Sequence, residues 1–103
     1  MAFRRACSYR ANITPPEAPA TYTDALVTFQ QDGVNIINKT LSDLTVSGDD
    51  FVVKLTQAET ALFTAGKPAF MQLRCYASAY NAPGSKPWPI DVMPALNDSI
   101  LGT

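Results

Sequence analysis

The chain has 103 residues and a mass of 11.1 kDa, which suffices for one domain with one hydrophobic core. Hydrophobic residues make up 47% and charged residues 17%, a composition typical of globular domains rather than disordered tails. Eight Lys and Arg residues oppose nine Asp and Glu residues, and the net charge of −1 disfavours DNA and RNA as partners. The sequence has no histidine, the commonest general base and metal ligand, so we expect no enzyme activity, metal or other cofactor.

The start of the chain does not predict secretion. A secretory signal needs a continuous apolar stretch of about 7–15 residues after its charges. Here Tyr9, Arg10 and Asn12 follow the charged pair Arg4-Arg5 and interrupt any such stretch. No segment has the length of a membrane span, so we expect no membrane partner. The protein is expected to stay in the cytoplasm of the cell that makes it, unless it leaves within a larger particle.

The N-terminal arm, residues 3–14, is predicted to form a half-buried strand. Its inward residues alternate with polar ones and are Cys7, Tyr9, Ala11 and Ile13. Residues 15–20 read Pro-Pro-Glu-Ala-Pro-Ala, and three prolines exclude both a helix interior and a strand ladder. This proline-rich loop separates the arm from the body of a single domain, residues 1–103.

Two pairs of predicted strands follow the proline-rich loop, each joined by a short turn. The first pair covers residues 25–30 and 34–40, and Asp32-Gly33 between them favours the positive φ values of a hairpin turn. The second pair covers residues 44–46 and 51–56. In these strands alternate residues are apolar and predicted to face a core: Ala25, Val27, Phe29, Phe51, Val53 and Leu55.

One short helical turn is predicted near residues 57–63. Thr56-Gln57-Ala58-Glu59 has the capping-box pattern, in which the Thr hydroxyl and the Glu carboxylate cap the first backbone N–H groups. Pro68 prevents a longer helix, so only one or two turns fit. We expect Leu62 and Phe63 to fill one end of the core.

Residues 69–77 form the longest predicted strand, and residues 86–94 form the last. In the longer strand one apolar face is predicted to be buried, consisting of Met71, Leu73 and Cys75. The three prolines within residues 86–94 lack donors that a central strand needs, which favours an edge or bulged strand. Residues 95–103 have room for one helical turn. Six to eight strands with turns about every ten residues predict an all-β fold, an antiparallel β-sandwich.

Few residues have the spacing of a catalytic or metal site. Cys7 and Cys75, without any histidine, are too few for a zinc site, and we expect reduced thiols, with a disulfide as the alternative. Asp49 and Asp50 beside Gly48 are typical of a turn; a calcium loop needs further oxygen ligands that are absent. A carboxylate-based hydrolase acting through Asp49 or Asp50 requires that they lie paired in a cleft.

Three groups of residues are candidate binding surfaces. Arg4, Arg5 and Arg10 form the one basic cluster, which either docks an acidic neighbour or is solvated. The outward face of the longest strand mixes aromatic and hydrogen-bonding groups, as interfaces do, and consists of Phe70, Gln72, Arg74 and Tyr76. Three aromatic residues are candidates for a platform that stacks on sugar rings, although a single Trp also fits the core of a sandwich: Tyr76, Tyr80 and Trp88.

Several segments, in one order along the chain, carry a family resemblance. They are Met1-Ala2-Phe3-Arg4-Arg5, Val-Thr-Phe-Gln-Gln-Asp-Gly at 27–33, Asn38-Lys39-Thr40, Val-Lys-Leu-Thr-Gln-Ala-Glu-Thr at 53–60, Met71-Gln72-Leu73-Arg74, and residues 85–92. Together they resemble small structural proteins of bacteriophages and prophages of Gram-positive bacteria and, more distantly, the N-terminal domain of phage baseplate upper proteins. The resemblance implies an immunoglobulin-like sandwich in a tail or baseplate, without activity, cofactor or catalytic residues. Pro87-Trp88-Pro89 and the proline-rich loop depart from the family pattern.

The main functional hypothesis is therefore a virion structural or assembly protein that binds itself and other virion proteins. It would reside in the host cytoplasm during synthesis and then in the particle. The alternative is a carbohydrate or cell-surface binding module with a glycan as partner. In the assembly hypothesis the arm could add a strand to the exposed edge of a neighbouring subunit. The sequence leaves open whether the arm pairs within its own chain instead.

Overall fold

The computed structural model describes residues 1–102 and shows two β-sheets packed around one core. Within that range the strands are Ala2–Arg4 (β1), Tyr9–Ile13 (β2), Asp24–Gln31 (β3), Val34–Thr40 (β4), Thr45–Ser47 (β5), Asp50–Leu55 (β6), Ala69–Tyr76 (β7) and Trp88–Met93 (β8). One sheet has the order β1-β8-β7-β3-β4 and the other the order β2-β6-β5. The predicted all-β sandwich is confirmed, as is one helical turn, Gln57–Thr60 (α1).

Alternation along the strands builds the core as predicted. Val27 and Phe29 of β3, Phe51 and Val53 of β6, and Met71 of β7 have no exposed surface. Burial of each such side chain stabilises the fold by roughly 1.5–3 kcal/mol relative to leaving it exposed.

An aromatic cluster after α1 closes one end of the core. The ring centroid of Phe63 lies 5.1 Å from that of Phe3 and 6.4 Å from that of Phe29, both in edge-on contact. The prediction for Phe63 is confirmed, whereas Leu62 is 62% exposed and does not fill the core. The chain turns between them, so only one of two adjacent apolar residues points inward.

The N-terminal arm is two strands rather than one. β1 pairs in parallel with β8 in the larger sheet, while β2 pairs antiparallel with β6 in the smaller sheet. A turn joins them: the N–H of Cys7 donates to the C=O of Arg4 at 3.2 Å, and Ala6 has a φ of 61°. Cys7 is exposed, not inward as its alternation predicts. Both halves of the arm pair within the chain, and the β1–β8 pair makes the larger sheet mixed rather than antiparallel.

β8 is an interior strand, whereas its prolines favour an edge or bulged strand. Residues 88–90 pair antiparallel with β7, and residues 91–93 pair in parallel with β1. The N–H of Asp91 donates to the C=O of Met1 at 3.0 Å. Residues two apart in a strand direct their backbone groups to the same side, so the nitrogen of Pro89, like that of Asp91, points toward β1. β1 pairs only with residues 91–93, so it has no residue opposite Pro89. Its missing donor therefore breaks no bond of the ladder.

A buried glutamine fixes the loop between α1 and β7. Gln31, at the end of β3, is only 4% exposed. Its Oε1 accepts from the N–H of Thr64 at 2.7 Å, and its Nε2 donates to the C=O of Thr64 at 2.8 Å and of Lys67 at 3.0 Å. One side chain thus satisfies three backbone groups of a loop that has no ladder of its own.

The capping box at the start of α1 forms as predicted. Thr56 Oγ1 accepts from the N–H of Glu59 at 3.2 Å, and Glu59 Oε1 accepts from the N–H of Thr56 at 2.9 Å. The other carboxylate oxygen of Glu59 lies 2.5 Å from Lys39 Nζ of β4. Burial raises the pKa of Glu59, but hydrogen bonds from Lys39 and Thr56 together with the Lys39 charge outweigh it and hold that pKa below its ordinary value.

Residues 94–102 are irregular. The sequence predicts one helical turn over residues 95–103, of which Thr103 lies outside the described residues. The segment folds back over α1. Gln57 Oε1 accepts from the N–H of Leu101 at 2.8 Å, and Gln57 Nε2 donates to the C=O of Leu101 at 3.2 Å. These contacts, not helix formation, fix the path of the segment.

Candidate protein-binding face

Strands β3, β4 and β7 form a concave surface on the side of their sheet that faces away from the core. Its polar residues alternate with buried ones and are Thr28, Gln30, Asn35, Asn38, Gln72 and Arg74. Its apolar residues are Leu26, Phe70 and Pro87. We call this surface the amide face; its concavity measures about 610 Å³.

Hydrogen bonds hold the side chains of the amide face in place. Thr28 Oγ1 donates to Asn38 Oδ1 at 2.8 Å, and Gln30 Nε2 donates to Asn35 Oδ1 at 3.1 Å. Gln72 Nε2 donates to the C=O of Ser85 at 2.8 Å. Within the described part of the chain each amide is bonded at one end only, so the N–H groups of Asn38 and the oxygen of Gln72 remain available to a partner. Groups fixed in this way lose little entropy when they bind.

Arg74 supplies the charge of the amide face. No carboxylate lines the concavity, and within residues 1–102 the guanidinium of Arg74 has no hydrogen bond or ion pair. Asp24 lies beyond it at the end of β3, opposite Tyr76, and accepts from the N–H of Ala25 at 2.9 Å. The guanidinium therefore offers its five N–H donors at one end of the face to an oxygen-rich partner group.

The predicted surface strand supplies three of the nine residues of the amide face, and Tyr76 lies outside it. Phe70, Gln72, Arg74 and Tyr76 all point outward from β7; Phe70 is 38% and Tyr76 47% exposed. The contributions of β3 and β4 escaped the sequence reasoning. The alternation of β3 places Leu26, Thr28 and Gln30 outward, but only the pairing of β3 with both β4 and β7 brings them beside the predicted residues.

The three predicted arginines do not form one cluster. Arg4 belongs to β1 and donates to the C=O of Pro94 at 2.6 Å, whereas Arg10 belongs to β2 in the other sheet. Arg5 follows β1; its Nη1 lies 2.5 Å from a carboxylate oxygen of Asp98, and its Nη2 donates to the C=O of Ala61 at 3.0 Å. The acidic partner expected for Arg5 is thus supplied by the chain itself.

The predicted aromatic platform is divided between separate places. Trp88 pairs with Met71 in the β7–β8 ladder and, like Met71, faces the core side, where it packs against the core. Tyr76 is five residues farther along β7, about 17 Å away, and points outward. Tyr80 is fully exposed in the following turn. Trp88 instead lines a separate, smaller concavity of about 210 Å³, walled by prolines of the loop at 15–20.

The remaining candidate residues are isolated. Asp49 lies in the β5–β6 turn, and Asp50 accepts a hydrogen bond from Thr14 Oγ1 at 2.5 Å. Among the described residues no group of three or more acidic or cysteine side chains is placed to hold a metal ion. Cys7 is an exposed free thiol; Cys75 is a buried one, and burial raises the pKa of Cys75. No helix in the described part of the chain has the length and apolar character needed to cross a membrane.

Comparison with protein-family models finds no match, and comparison with curated proteins finds none either. Among solved structures, the chain is similar to a strand-swapped dimer of the extracellular domain of mouse leukocyte-associated immunoglobulin-like receptor 1. This likeness has a TM-score of 0.52 at 9% identity and covers 89% of this chain and 85% of that chain. The V domain of amphioxus IgVJ-C2 matches over 90% of this chain and 99% of its own, at 8% identity and a TM-score of 0.43.

The fold is an immunoglobulin-like β-sandwich. Its sheet orders agree: β2-β6-β5 corresponds to strands B-E-D of that fold, and β8-β7-β3-β4 to strands G-F-C-C′. The immunoglobulin-like class implied by the family resemblance is thus confirmed. At 9% identity the likeness shows the fold alone.

The immunoglobulin-like core is closed here without the usual disulfide. In antibody domains a disulfide joins strands B and F, and a Trp of strand C packs against it. Cys75 lies on β7, the F strand, but the buried positions of β2, the B strand, hold Ala11 and Ile13. Phe29 of β3 supplies the aromatic bulk on the C strand. Packing of buried side chains therefore takes the place of this disulfide between the two sheets.

Proposed function

We propose that this chain is a structural or assembly protein of a bacteriophage or prophage particle, a tail or baseplate component that acts by protein–protein association without catalysis. The amide face is the observation that supports association most directly. Protein interfaces are enriched in aromatic residues and Arg and depleted of Lys, Glu and Asp. The amide face contains Phe70 and Arg74 and no Lys, Glu or Asp. The phage assignment is supported by the ordered family resemblance of the sequence.

Three further observations support this role. The carbohydrate-binding hypothesis depended on a single aromatic platform, but Trp88 and Tyr76 lie on opposite faces of the larger sheet. A carboxylate-based hydrolase depended on paired acids in a cleft, but Asp49 lies in an exposed turn and Asp50 is hydrogen-bonded to Thr14. The immunoglobulin-like neighbour from mouse is described as a strand-swapped dimer, which accords with self-association in such a fold.

The test is incorporation into particles. Virions purified from a host that carries the gene are analysed by quantitative mass spectrometry, with the wild-type chain replaced by Phe70→Asp, or by Val46→Asp as the matched control. Val46 is an exposed apolar residue of β5, in the other sheet, so both variants add one surface carboxylate. We expect the wild type and Val46→Asp in particles at a fixed copy number and a loss of at least tenfold for Phe70→Asp.

Two results would contradict the proposal at different levels. Absence of the wild-type chain from particles and from their assembly intermediates would exclude the virion role. Equal incorporation of the two variants, both folded by circular dichroism, would keep the virion role and exclude the amide face as its interface.

A further inference from the structure

The turn between β1 and β2 is a strained connection. The N–H of Cys7 donates to the C=O of Arg4 at 3.2 Å, so residues 4–7 form a reverse turn with Ala6 in its third position. Ala6 has a positive φ of 61°, whereas the φ of Arg5 is not positive. This is the sign pattern of a type II turn, whose third position favours Gly or Asn. An alanine there disfavours the closed turn about fivefold to thirtyfold relative to an extended connection.

Apart from the hydrogen bond of the turn itself, the printed contacts of residues 1–5 are with residues that follow the turn, from residue 9 to residue 98. The N–H of Asp91 donates to the C=O of Met1 at 3.0 Å, and the N–H of Arg5 donates to the C=O of Met93 at 2.9 Å. The Phe3 ring, 3% exposed, packs against residues 9 and 63 with centroid distances of 5.3 and 5.1 Å. The side-chain partners of Arg4 and Arg5 are residues 61, 94 and 98.

All of these partners follow the turn in sequence, so a second copy of the chain offers the same set in the same geometry. If residues 1–5 move to a second copy, each contact is made again between molecules, while the positive φ of Ala6 is released. A reciprocal exchange of this kind gives a closed dimer with twofold symmetry. Its cost is the entropy of association, which concentration offsets.

We propose that residues 1–5 exchange between two copies of this chain, so that β1 of each copy pairs with β8 of the other. The turn at Ala6 is the hinge of the exchange. The docking position already exists in the monomer as the groove beside β8 that β1 fills. This inference stands on the turn and the arm alone and does not require the virion role.

The test mixes two variants that each carry one introduced cysteine in a Cys7→Ser background, because Cys7 is exposed and would cross-link on its own, whereas Cys75 is buried. One variant carries Ala2→Cys and the other Asp91→Cys, since residues 2 and 91 are opposite each other in the β1–β8 ladder. Neighbouring strands are about 4.8 Å apart, within the reach of a disulfide. A covalent dimer on a non-reducing gel therefore reports arm exchange. The control mixture pairs Asp91→Cys with Val46→Cys, an exposed site away from the arm.

We expect the Ala2→Cys and Asp91→Cys mixture to form covalent dimer at least tenfold faster than the control mixture. Adding Ala6→Gly, which removes the strain of the closed turn, should lower the dimer yield at a fixed concentration, and adding Ala6→Val should raise it. The two hinge variants should differ at least fivefold. Adding Phe70→Asp should change nothing, because the exchange does not use the amide face.

The proposal is overturned if the mixture cross-links no faster than the control. It is also overturned if Ala6→Gly and Ala6→Val give equal yields, since the hinge would then play no part. Loss of cross-linking on adding Phe70→Asp would assign the dimer to the amide face instead of the arm.

Discussion

Replacing Gln31 by alanine should destabilise the domain far more than a surface substitution does. The side chain makes three hydrogen bonds to the backbone of residues 64 and 67, at 2.7, 2.8 and 3.0 Å, and is 4% exposed. At about 1 kcal/mol for each net hydrogen bond, Gln31→Ala should lower the free energy of unfolding by about 3 kcal/mol. That is a large fraction of the roughly 5–15 kcal/mol by which domains are stable.

Urea denaturation followed by circular dichroism measures this loss. Small proteins lose about 1–3 kcal/mol of stability per molar urea, so the midpoint should fall by roughly 1–3 M. Gln30→Ala is the matched control, because Gln30 is the preceding residue and makes a single exposed hydrogen bond to Asn35; its midpoint should shift by less than about 0.5 M. Equal shifts for the two variants would refute the reasoning that the loop depends on the buried amide.

Three further predictions concern α1 and the cysteines. Thr56→Ala removes the side-chain acceptor for the N–H of Glu59 and should cost about 1 kcal/mol, seen as a lower thermal midpoint; an unchanged midpoint would contradict the role of the cap. Because the pKa of Glu59 lies below its ordinary value of 4.5, its contribution to stability is present above that pH and is lost as the pH falls through the lowered pKa. Glu59→Gln should therefore flatten the decline of stability as the pH falls below 4.5, and an identical pH profile would exclude this linkage. Cys7 should react with a thiol reagent in the native protein and Cys75 only after unfolding, by mass spectrometry of the modified sites; equal rates would contradict the burial of Cys75.

The sequence predicts β3 and β7 well because one face of each is buried and the other solvated. In β7, Met71, Leu73 and Cys75 face inward and Phe70 and Arg74 outward, as a period of two requires. The turn Asp32-Gly33 is equally readable, since both residues adopt the positive φ values that their identities favour. Where local conformational preference and tertiary packing agree, the sequence pattern alone is sufficient to predict the strand and the turn.

The break in the arm could not be predicted because its cause has no local signal. Ala6 takes a positive φ that alanine disfavours, and a glycine at this position would have indicated a turn. In the sequence, Cys7, Tyr9, Ala11 and Ile13 alternate with polar residues up to the turn at residues 4–7, which conceals the change of sheet there. The predicted position of β8 was wrong for a related reason. Prolines exclude an interior strand only if it pairs on both sides along its whole length, and β8 changes partner halfway.

The candidate site was predictable only in part. The outward face of β7 follows from its alternation, but the amide face also needs the long-range pairing of β3 with both β4 and β7. The aromatic platform was wrong because Tyr76 and Trp88, on neighbouring strands, are separated by the register of the ladder and by the face on which each lies. Register between distant segments is set by packing of the whole core, which no single segment encodes.

The parallel alignment of β1 and β8 has a mechanical consequence. A pull applied between the start of β1 and the end of β8 acts along both strands in opposite directions, because parallel strands enter the sheet from the same side. The hydrogen bonds at Met1, Asp91, Arg5 and Met93 are then loaded in shear and must break together, rather than one after another as in a hairpin opened from its free ends. The domain is thus built to resist stretching along this direction.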